Sequence, residues 1–401
     1  MTSAAGARHV LVVNAGSSSL KYRVVAAATG ETVADGTVSE IGGDARLRHE
    51  AGGHRAERSV ACPTHAEAFT LARESLDEHG PDLGAGLVAV GHRVVHGGER
   101  FTEAVEVSDD VLAALRELAP LAPLHNPANV EGIVRAREAF PGVPHVAVFD
   151  TAFHRTLAPA AHTYAVPRAW REEHAVRRYG FHGTSFASVS RRTAALLGRP
   201  VEDLALVVLH LGNGASACAV LGGRSVDTSM GLSPTEGLVM GTRSGDVDPA
   251  LGAYLARVAG TSVEDYETAL NRRSGLLALA GASDFRTLEE GLEAGDEDAR
   301  LAFDVTVHRL VKYVGAYAAV LGRLDALVFT GGIGEHSPVL RAAVVGRLGV
   351  LGLVLDEGAN ADGTAARRVS ADASAAGVWV VPTDEEAEIA RAALEVAGAR
   401  S

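Results

Sequence analysis

A hairpin with a glycine- and serine-rich tip stands near the start of the chain. Residues 10–25 run from an apolar stretch through Asn14-Ala-Gly-Ser-Ser-Ser into a second stretch that carries Lys21. Glycine lets a backbone approach a ligand closely, and the N–H groups of a turn, together with serine hydroxyls, form a concavity that binds anions. The residue types therefore indicate a phosphate ligand, with Lys21 as a nearby positive charge. A turn that only reverses the chain stays the alternative.

The same layout recurs about half a chain length later. Residues 207–221 repeat the pattern of residues 11–25, with Gly212-Asn213-Gly214 as the turn between two apolar stretches. Apolar runs on either side of a short glycine turn predict a β-hairpin. Two such copies suggest an internal duplication in which two small-residue tips bind one phosphate chain. Coincidence is the alternative, because glycine turns after apolar strands are common.

Further polar side chains stand where apolar strands end or glycines interrupt the chain. Arg93 and Asp150 each follow an apolar run, His182 precedes a predicted helix, and Arg243 stands between glycines. Two arginines, a histidine and a carboxylate are the groups needed to bind an anion and to stabilise a transferring phosphoryl group. Each also has an ordinary interpretation as a packed histidine, an ion-pair residue or a turn residue.

Capping signals predict where two of the helices begin. Thr184 or Ser185 is expected to cap the helix after His182. Thr383 with Glu386 three residues later has the spacing of a capping box. Glu385 is then either an acid that complements the helix dipole or a Mg²⁺ ligand, and its position alone does not decide between the two. A glycine-rich turn, residues 331–334, is weak evidence for nucleotide binding.

Strand and helix patterns alternate along the chain. Short, valine-rich strands are predicted at 10–14, 22–27, 87–95, 144–149, 205–211, 216–221 and 325–330. Helices are predicted at 64–79, 108–118, 127–139, 185–197, 248–258, 298–322 and 384–397. Hairpins together with strand–helix units indicate an α/β protein with mixed sheets. The glycine pairs at 42–43 and 52–53 bracket a charged strand pair that is predicted to be an exposed insertion.

Composition excludes several classes of protein. A length of 401 residues predicts two or three domains, and 47% hydrophobic with 22% charged residues fits a globular protein with a large core. The net charge of −13 argues against a nucleic-acid-binding or membrane-binding surface, so an anionic substrate needs locally placed arginines and lysines. Two cysteines form no disulfide framework, and no apolar run is long enough to span a membrane. We expect a cytoplasmic protein.

Taken together, these segments resemble the acetate kinase family of acetate and propionate kinases. The matching blocks occur in family order between residues 10 and 390. They are Asn14-Ala-Gly-Ser-Ser-Ser-Leu-Lys21, His92-Arg-Val-Val-His-Gly-Gly98, Phe149-Asp-Thr-Ala-Phe-His154, Arg178-Tyr-Gly-Phe-His-Gly-Thr-Ser185, His210-Leu-Gly-Asn-Gly214, Thr242-Arg-Ser-Gly-Asp246, Gly331-Gly-Ile-Gly-Glu335 and Thr383-Asp-Glu-Glu386.

The resemblance implies the acetate and sugar kinase/Hsp70/actin fold. Two ribonuclease H-like domains, each a copy of one duplicated core, would enclose a nucleotide cleft. The first domain would comprise residues 1–150 with the last helix, 384–401, returning to it, and the second would comprise residues 151–383. The resemblance also implies ATP and ADP as co-substrates, Mg²⁺ with Mn²⁺ as an alternative metal, acetate and acetyl phosphate as ligands, and a homodimer.

The resemblance further implies a role for each matched residue. Catalytic roles fall to Asp150, His182 and Arg243. Arg93 would pair with the substrate carboxylate, for which a planar guanidinium is well suited. The alkyl pocket would be lined by Val95, Leu124, Phe181 and Pro234. Mg²⁺ would be held by Asn14 and Glu385. The nucleotide would be bound by Lys21, His210, Leu211, Gly212, Asn213, Gly214, Asp284, Phe285, Arg286, Gly331, Gly332, Ile333, Gly334 and Glu335.

The chemistry of the acceptor argues against one customary role. A small carboxylic acid is already ionised at pH 7, so no general base is needed to create the nucleophile. We therefore interpret Asp150 as a group that orients an arginine or the water shell of the metal.

Three positions depart from the family pattern, and two other functions stay open. Phe186 stands where histidine is usual, Asp384 replaces a more usual asparagine, and Gly241 a more usual serine. A propionate kinase is the alternative within the family. A nucleotide-dependent switch protein of the same fold is the alternative from another class, although a switch has no need of Arg93, Arg243 and His182 around an acyl-phosphate site.

Overall fold

A computed structural model of the chain describes residues 8–16, 18–123, 125–361, 363 and 365–398. Two positions that the sequence singled out, Ser17 and Leu124, lie outside the described residues. The chain divides into two compact units. Unit 1 comprises Met1–Phe153 with Asp384–Ser401, and unit 2 comprises His154–Thr383.

Unit 1 is built on an eight-stranded mixed sheet. Its strands are β1 (His9–Ala15), β2 (Ser19–Ala26), β3 (Thr32–Ser39), β4 (Gly43–Ala51), β5 (His54–Cys62), β6 (Leu87–Val94), β7 (Val105–Glu106) and β8 (His145–Phe149). Their spatial order is β5-β4-β3-β2-β1-β6-β8-β7, in which β1, β6 and β8 are parallel neighbours. Its helices are α1 (His65–His79), α2 (Leu83–Gly86), α3 (Asp109–Glu117) and α4 (Asn126–Ala139).

The final helix of the chain packs on the opposite face of this sheet. Helix α16 (Glu385–Gly398) covers Val10 and Val12 of β1, whereas Leu11 and Val13 pack toward α1 and α4. Side chains alternate between the two faces of a strand, so a strand covered on both faces is apolar at every position. This explains why β1 appears in the sequence as a continuous apolar run.

Unit 2 is built on a six-stranded sheet. Its strands are β9 (Ala205–Leu211), β10 (Ala215–Leu221), β11 (Arg224–Thr228), β12 (Ala326–Thr330), β13 (Arg367–Arg368) and β14 (Gly377–Val380). Its helices are α5 (Pro159–His162), α6 (Arg168–His174), α7 (Gly183–Leu197), α8 (Leu251–Ala259), α9 (Val263–Arg272), α10 (Gly275–Ala280), α11 (Phe285–Ala294), α12 (Glu297–Leu321), α13 (Gly331–His336), α14 (Pro338–Gly346) and α15 (Glu357–Ala361).

The two sheets share one topology. Five strands of unit 1 have the order β3-β2-β1-β6-β8, and five strands of unit 2 have the order β11-β10-β9-β12-β14. In each set three antiparallel strands are followed by two that run parallel to the first. The predicted α/β fold with a duplicated ribonuclease H-like core is confirmed.

Three local features add to or differ from the sequence predictions. The predicted charged pair corresponds to β4 and β5; both strands continue the hydrogen-bonded ladder of the sheet beyond β3, and most residues of β5 are exposed. The sequence patterns missed helices α9 to α11, which are only 10, 6 and 10 residues long and have at most two buried residues each. The glycine-rich segment after β12 is the short helix α13 rather than a turn.

Candidate active site

In unit 1, polar side chains meet at the carboxyl edge of three parallel strands. Asn14 lies near the end of β1, Arg93 near the end of β6, and Asp150 directly after β8. Carboxyl ends of adjacent parallel strands share one edge of a sheet, which is where α/β proteins bind ligands. Alternation along each strand also directs the three side chains to the face that α16 covers, since Val12, Ala89 and Val148 pack there.

The guanidinium of Arg93 is held by a carboxylate through two hydrogen bonds. Its Nε donates to Asp150 Oδ1 at 3.0 Å, and its Nη2 donates to Asp150 Oδ2 at 2.6 Å. Nη1 points to Asn14 Oδ1 at 3.4 Å. Burial lowers the pKa of Arg93, but the Asp150 and Glu385 carboxylates outweigh this effect and raise it overall. Arg93 is therefore a permanent, oriented cation.

Glu385 opens helix α16 beside this pair. The pKa of Glu385 is raised to about 7, chiefly by burial. The negative charges of Asp150 and Glu386 also raise this pKa, whereas the positive charges of Arg93 and Lys21 lower it. Lys21 lies opposite Asn14 in the β1–β2 hairpin. The carboxylate of Glu385 is thus only partly compensated by cations of the protein, and a further cation beside it would favour its ionised form.

The start of α16 corrects the predicted capping box. Asp384, not Thr383, caps the helix by accepting a hydrogen bond from Ala387 N at 3.1 Å. The hydroxyl of Thr383 does not cap α16 and instead forms a hydrogen bond with Ser185 Oγ at 2.8 Å. Asp384 also forms an ion pair of 2.7 Å with Arg23.

In unit 2, His182 precedes helix α7 in a left-handed backbone conformation, with φ 57° and ψ 25°. Few non-glycine residues adopt this region, and such strain concentrates at functional sites. The predicted caps Thr184 and Ser185 were wrong, because α7 begins earlier, at Gly183, with His182 in the N-cap position and no side-chain cap. The helix therefore starts from the left-handed backbone of His182 and not from a hydroxyl cap at Thr184 or Ser185.

The imidazole of His182 is oriented by its neighbours. Its Nδ1 lies 2.8 Å from Ser216 Oγ, and its ring stacks on that of His210 with centroids 4.2 Å apart. His210 Nδ1 lies 2.8 Å from Ser185 Oγ. The two serines thereby direct Nε2 of each ring away from the hydroxyls.

Arg243 and His182 converge on the tip of the β9–β10 hairpin. A Cβ built on Gly214 would lie 3.5 Å from Arg243 Nη1 and 3.6 Å from His182 Nε2. Burial lowers the pKa of Arg243, and no described carboxylate lies within ion-pair distance of it. The hairpin tip therefore lies beside a guanidinium whose charge no described carboxylate neutralises.

A cavity of about 620 Å³ adjoins the same tip. Its lining is Gly212, Asn213, Ser283, Asp284, Phe285, Arg286, Glu289, Gly332, Ile333, His336 and Ser337. A cavity of this size fits a nucleotide-sized ligand. Seven of the lining residues were predicted for the nucleotide, whereas Ser283, Glu289, His336 and Ser337 were missed because they belong to no recognisable motif.

Glu335 holds the turn that enters α13. Its Oε1 accepts hydrogen bonds from Gly331 N at 2.9 Å and from Thr383 N at 3.2 Å. Gly331 has φ +76°, and a Cβ there would lie 2.7 Å from Leu211 O. Glu335 thus stabilises the backbone of the glycine-rich segment and does not line the cavity, and only glycine fits at position 331.

The residues predicted for the alkyl pocket fall in both units. Val95 is buried in unit 1, while Phe181 is buried and Pro234 half-buried in unit 2. Leu124 lies outside the described residues.

Two of the departures from the family pattern can be placed in the structure. The packing explains glycine at position 241, because a Cβ there would lie 1.8 Å from Asn213 Oδ1. Phe186 is fully buried and packs edge-on against the ring of His154.

Two negative findings concern the described part of the chain. It contains no group of three or more histidine, cysteine or acidic side chains that could hold a metal ion by themselves. None of its helices has the length and apolar character needed to cross a membrane.

Comparison with known proteins agrees with the resemblance seen in the sequence. Residues 9–391 match the Acetokinase family. An acetate kinase of Leifsonia xyli subsp. xyli (strain CTCB07) is 57% identical over 97% of this chain and 99% of its own length. A solved acetate kinase of Porphyromonas gingivalis superposes with a TM-score of 0.91 at 40% identity, over 97% of this chain and 100% of that one. A solved propionate kinase of Francisella tularensis subsp. tularensis SCHU S4 gives a TM-score of 0.92 at 38% identity, with the same two coverages. The match over nearly the whole chain shows that this protein belongs to the acetokinase family.

Proposed function

We propose that this family member has acetate kinase activity: it transfers the γ-phosphoryl group of ATP reversibly to acetate, giving acetyl phosphate and ADP. The observation that carries the proposal is the convergence of Arg243 and His182 on Gly214, beside a nucleotide-sized cavity. A guanidinium without a carboxylate partner is suited to the charge that develops on a transferring phosphoryl group. A nucleotide-dependent switch protein would not need it.

Unit 2 would bind the nucleotide. Gly212 and Asn213 line the cavity, and Gly214 next to them faces Arg243 and His182. A nucleotide in the cavity with its phosphates along this tip would present the terminal phosphoryl group to Arg243 and His182. Asp284, Phe285 and Arg286 would contact the nucleoside from the start of α11.

Unit 1 would bind the acceptor. Asp150 takes the N–H of Nε and one N–H of Nη2, and Asn14 faces one N–H of Nη1, which leaves a second N–H on each of Nη1 and Nη2 for a further acceptor. An acetate carboxylate near Nη1 would be oriented for in-line attack, and Val95 would contact its methyl group. Acetate is ionised at pH 7, so the reaction needs no proton acceptor, and the two hydrogen bonds to Arg93 support an orienting role for Asp150.

The residues of unit 1 fit a magnesium ion. Asn14, Asp150 and Glu385 supply only oxygen ligands, and Glu385 is a carboxylate without full compensation by cations. Mg²⁺ prefers oxygen ligands and is usually held by one or two carboxylates together with substrate phosphates and water. Asn14 and Glu385 would hold it, directly or through water; when bound, it would neutralise phosphate charge.

A propionate kinase is the second candidate. It is favoured by the superposition on a propionate kinase at a TM-score of 0.92, which is as good as that on an acetate kinase. One methylene group in an apolar pocket changes binding by only about 1–3 kcal/mol, so the two activities differ in degree.

A hydroxylamine-trapping assay for acyl phosphate tests both candidates. The purified protein is incubated with ATP, Mg²⁺ and acetate, propionate or butyrate, and kcat/KM is measured for each acid. We expect acetate to be the best substrate, propionate poorer and butyrate marginal. Preference for propionate would establish the second candidate, and no acyl phosphate from any of the three acids would refute the kinase assignment.

The surface of unit 2 supports a homodimer. Helices α8 and α9 contain no buried residue, yet they expose Tyr254, Val258 and Val263 at 53%, 60% and 77%. Tyr254 and Val258 are four residues apart on α8 and so share one face of the helix; exposed apolar side chains grouped on one face mark association surfaces, which a two-fold contact would bury on both copies. Light scattering should give the mass of a dimer for the wild type and that of a monomer for Val258→Asp. A monomeric wild type would refute the proposed homodimer.

A cytoplasmic location stays a prediction.

A further inference from the structure

A buried asparagine of α4 joins the ends of the two strands that carry the acceptor-side residues. Asn129 is only 3% exposed. Its Nδ2 donates to the carbonyl of Ala15 at 2.6 Å, and its Oδ1 accepts from the N–H of Val95 at 3.0 Å. Ala15 ends β1 directly after Asn14, and Val95 follows β6 two residues after Arg93.

These two hydrogen bonds of Asn129, here called the Asn129 bridge, lie where the hydrogen-bonded ladder between β1 and β6 ends. Paired residues of these parallel strands run as far as Val13 and His92. Beyond that point Asn129 contributes hydrogen bonds to both strand ends in place of further direct pairing. Helix α4 packs closely on the end of β1, because a Cβ on Gly132, one turn along α4, would lie 2.9 Å from the Cβ of Ala15. This close approach brings the Asn129 amide within hydrogen-bond distance of the strand ends.

The side-chain amide of Asn129 satisfies both partners. A backbone N–H can only donate and a carbonyl can only accept, so the orientation of the Asn129 amide is determined by its partners. An aspartate would keep the bond from Val95 but would set a carboxylate oxygen against the Ala15 carbonyl. An alanine would lose both bonds.

We propose that Asn129 is a positioning residue for phosphoryl transfer. By fixing the separation of the β1 and β6 ends, it sets Asn14 relative to the Arg93–Asp150 pair, where Nη1 and Oδ1 are 3.4 Å apart. These side chains are the proposed metal-side and carboxylate-binding groups, so this inference rests on the proposed function. Asn129 itself touches neither substrate nor metal.

The same helix offers a matched control. Asn126 is 1% exposed and also makes two hydrogen bonds to backbone, accepting from His96 N at 3.2 Å and donating to His96 O at 3.1 Å. Both bonds end on one residue, so Asn126 joins no two strands. Its replacement removes as many buried hydrogen bonds without releasing β1 from β6.

The experiment compares Asn129→Asp, Asn129→Ala and Asn126→Ala with the wild type. Measured quantities are KM for acetate, the Mg²⁺ concentration for half-maximal activity, kcat, and ADP binding by calorimetry. A displacement of about 1 Å at reacting groups costs up to roughly 100-fold in rate. We expect both Asn129 variants to lose roughly 10- to 100-fold in kcat/KM for acetate and to need more Mg²⁺. Their ADP affinity should stay within about twofold of wild type, because the ADP cavity belongs to unit 2. Asn126→Ala should lower the melting temperature as much as Asn129→Ala and leave both requirements at wild-type values.

Two outcomes overturn the proposal. In the first, Asn129→Asp keeps the wild-type KM for acetate and the wild-type Mg²⁺ requirement. In the second, Asn126→Ala raises these two quantities as much as the Asn129 variants do. If Asn129→Ala does not fold, Asn129→Asp decides the question. Hydrogen exchange provides a readout that does not need activity. The Val95 amide should lose protection in Asn129→Ala and keep it in Asn129→Asp, while amides near Ala15 exchange faster in both. If the wild type makes no acyl phosphate, the kinase assignment fails and the exchange data still test the bridge.

Discussion

Replacement of Asp150 by asparagine tests whether this carboxylate orients Arg93 or removes a proton. The substitution keeps the shape of the side chain and removes its charge. Of the two present bonds, at 3.0 and 2.6 Å, one would be retained as a neutral acceptor and the other would set an amide N–H against the guanidinium. Arg93 would then no longer be held in a bidentate pair.

The size of the effect follows from these two bonds. A hydrogen bond to a charged group contributes about 1.5–3 kcal/mol and a neutral one about 0.5–1.5 kcal/mol. Loss of one charged bond and weakening of the other therefore removes about 3–4 kcal/mol. The Arg93 side chain is 22% exposed, so water compensates part of the loss. The lower value of about 3 kcal/mol corresponds to roughly 150-fold in kcat/KM for acetate.

The assay is acyl phosphate formation by wild type and Asp150→Asn between pH 6 and 9.5. We expect the loss to be constant from about pH 8 to 9.5, above the pKa of Glu385, since acetate carries no proton to be removed. Asp325→Asn is the matched control: Asp325 forms an ion pair of 2.9 Å with Arg199 in unit 2, away from the candidate site residues. It should lower the melting temperature and leave kcat/KM unchanged. Recovery of Asp150→Asn at high pH would support proton abstraction and refute the orienting role.

Four further predictions concern other side chains. Arg243→Ala should lower kcat by on the order of 10³-fold and change KM for acetate little, because its charge acts on the transferring phosphoryl group; an equal effect on both constants would contradict this. Glu385→Gln should raise the Mg²⁺ concentration needed for half-maximal activity without lowering the melting temperature, and an unchanged requirement would remove Glu385 from the metal site. Val95→Ala should narrow the ratio of kcat/KM for acetate and propionate, mainly through KM, and an unchanged ratio would place Val95 outside the pocket. Burial lowers the pKa of His92 and of His145, whose rings share a hydrogen bond of 3.0 Å. Below about pH 6.5 the unfolded chain therefore binds protons at these two sites that the native chain does not, so the two histidines favour unfolding increasingly as the pH drops from 6.5 toward 5. The raised pKa of Glu385 acts in the opposite direction, so the test is the difference between two proteins: the melting temperature of His145→Gln should rise relative to that of the wild type as the pH drops from 6.5 to 5.

The parts of the site that follow strand periodicity could be predicted from the sequence. Asn14, Arg93 and Asp150 each stand at the end of an apolar run, and three parallel strand ends necessarily share one edge of a sheet. The internal repeat likewise predicted that a second sheet would present its own hairpin tip, Gly212 to Gly214. Both conclusions need only the local pattern and the rules of parallel pairing.

Features set by tertiary contacts could not be predicted in this way. Thr383 has the sequence signature of a helix cap, but Ser185 engages its hydroxyl and Asp384 caps the helix instead. His182 adopts positive φ, which only the surrounding packing can enforce on a histidine. Asn129 was missed for a related reason: an asparagine one turn into a helix predicts nothing unless the partners of its amide are known.

The departure at Asp384 shows how such contacts decide the meaning of a substitution. An additional carboxylate next to Glu385 would by itself raise the pKa of Glu385 and compete for the proposed magnesium ion. In the structure the Asp384 carboxylate is engaged twice, by the ion pair with Arg23 at 2.7 Å and by the N–H of Ala387 at 3.1 Å. Glu386, one residue further, lies 3.7 Å from the same arginine. Arg23 therefore pairs with two of the three consecutive acids, whereas Glu385 faces Arg93, Asp150 and Lys21, with Glu386 still close enough to raise its pKa. The sequence shows three adjacent negative charges, and only the partner of each one reveals which of them is available to a cation.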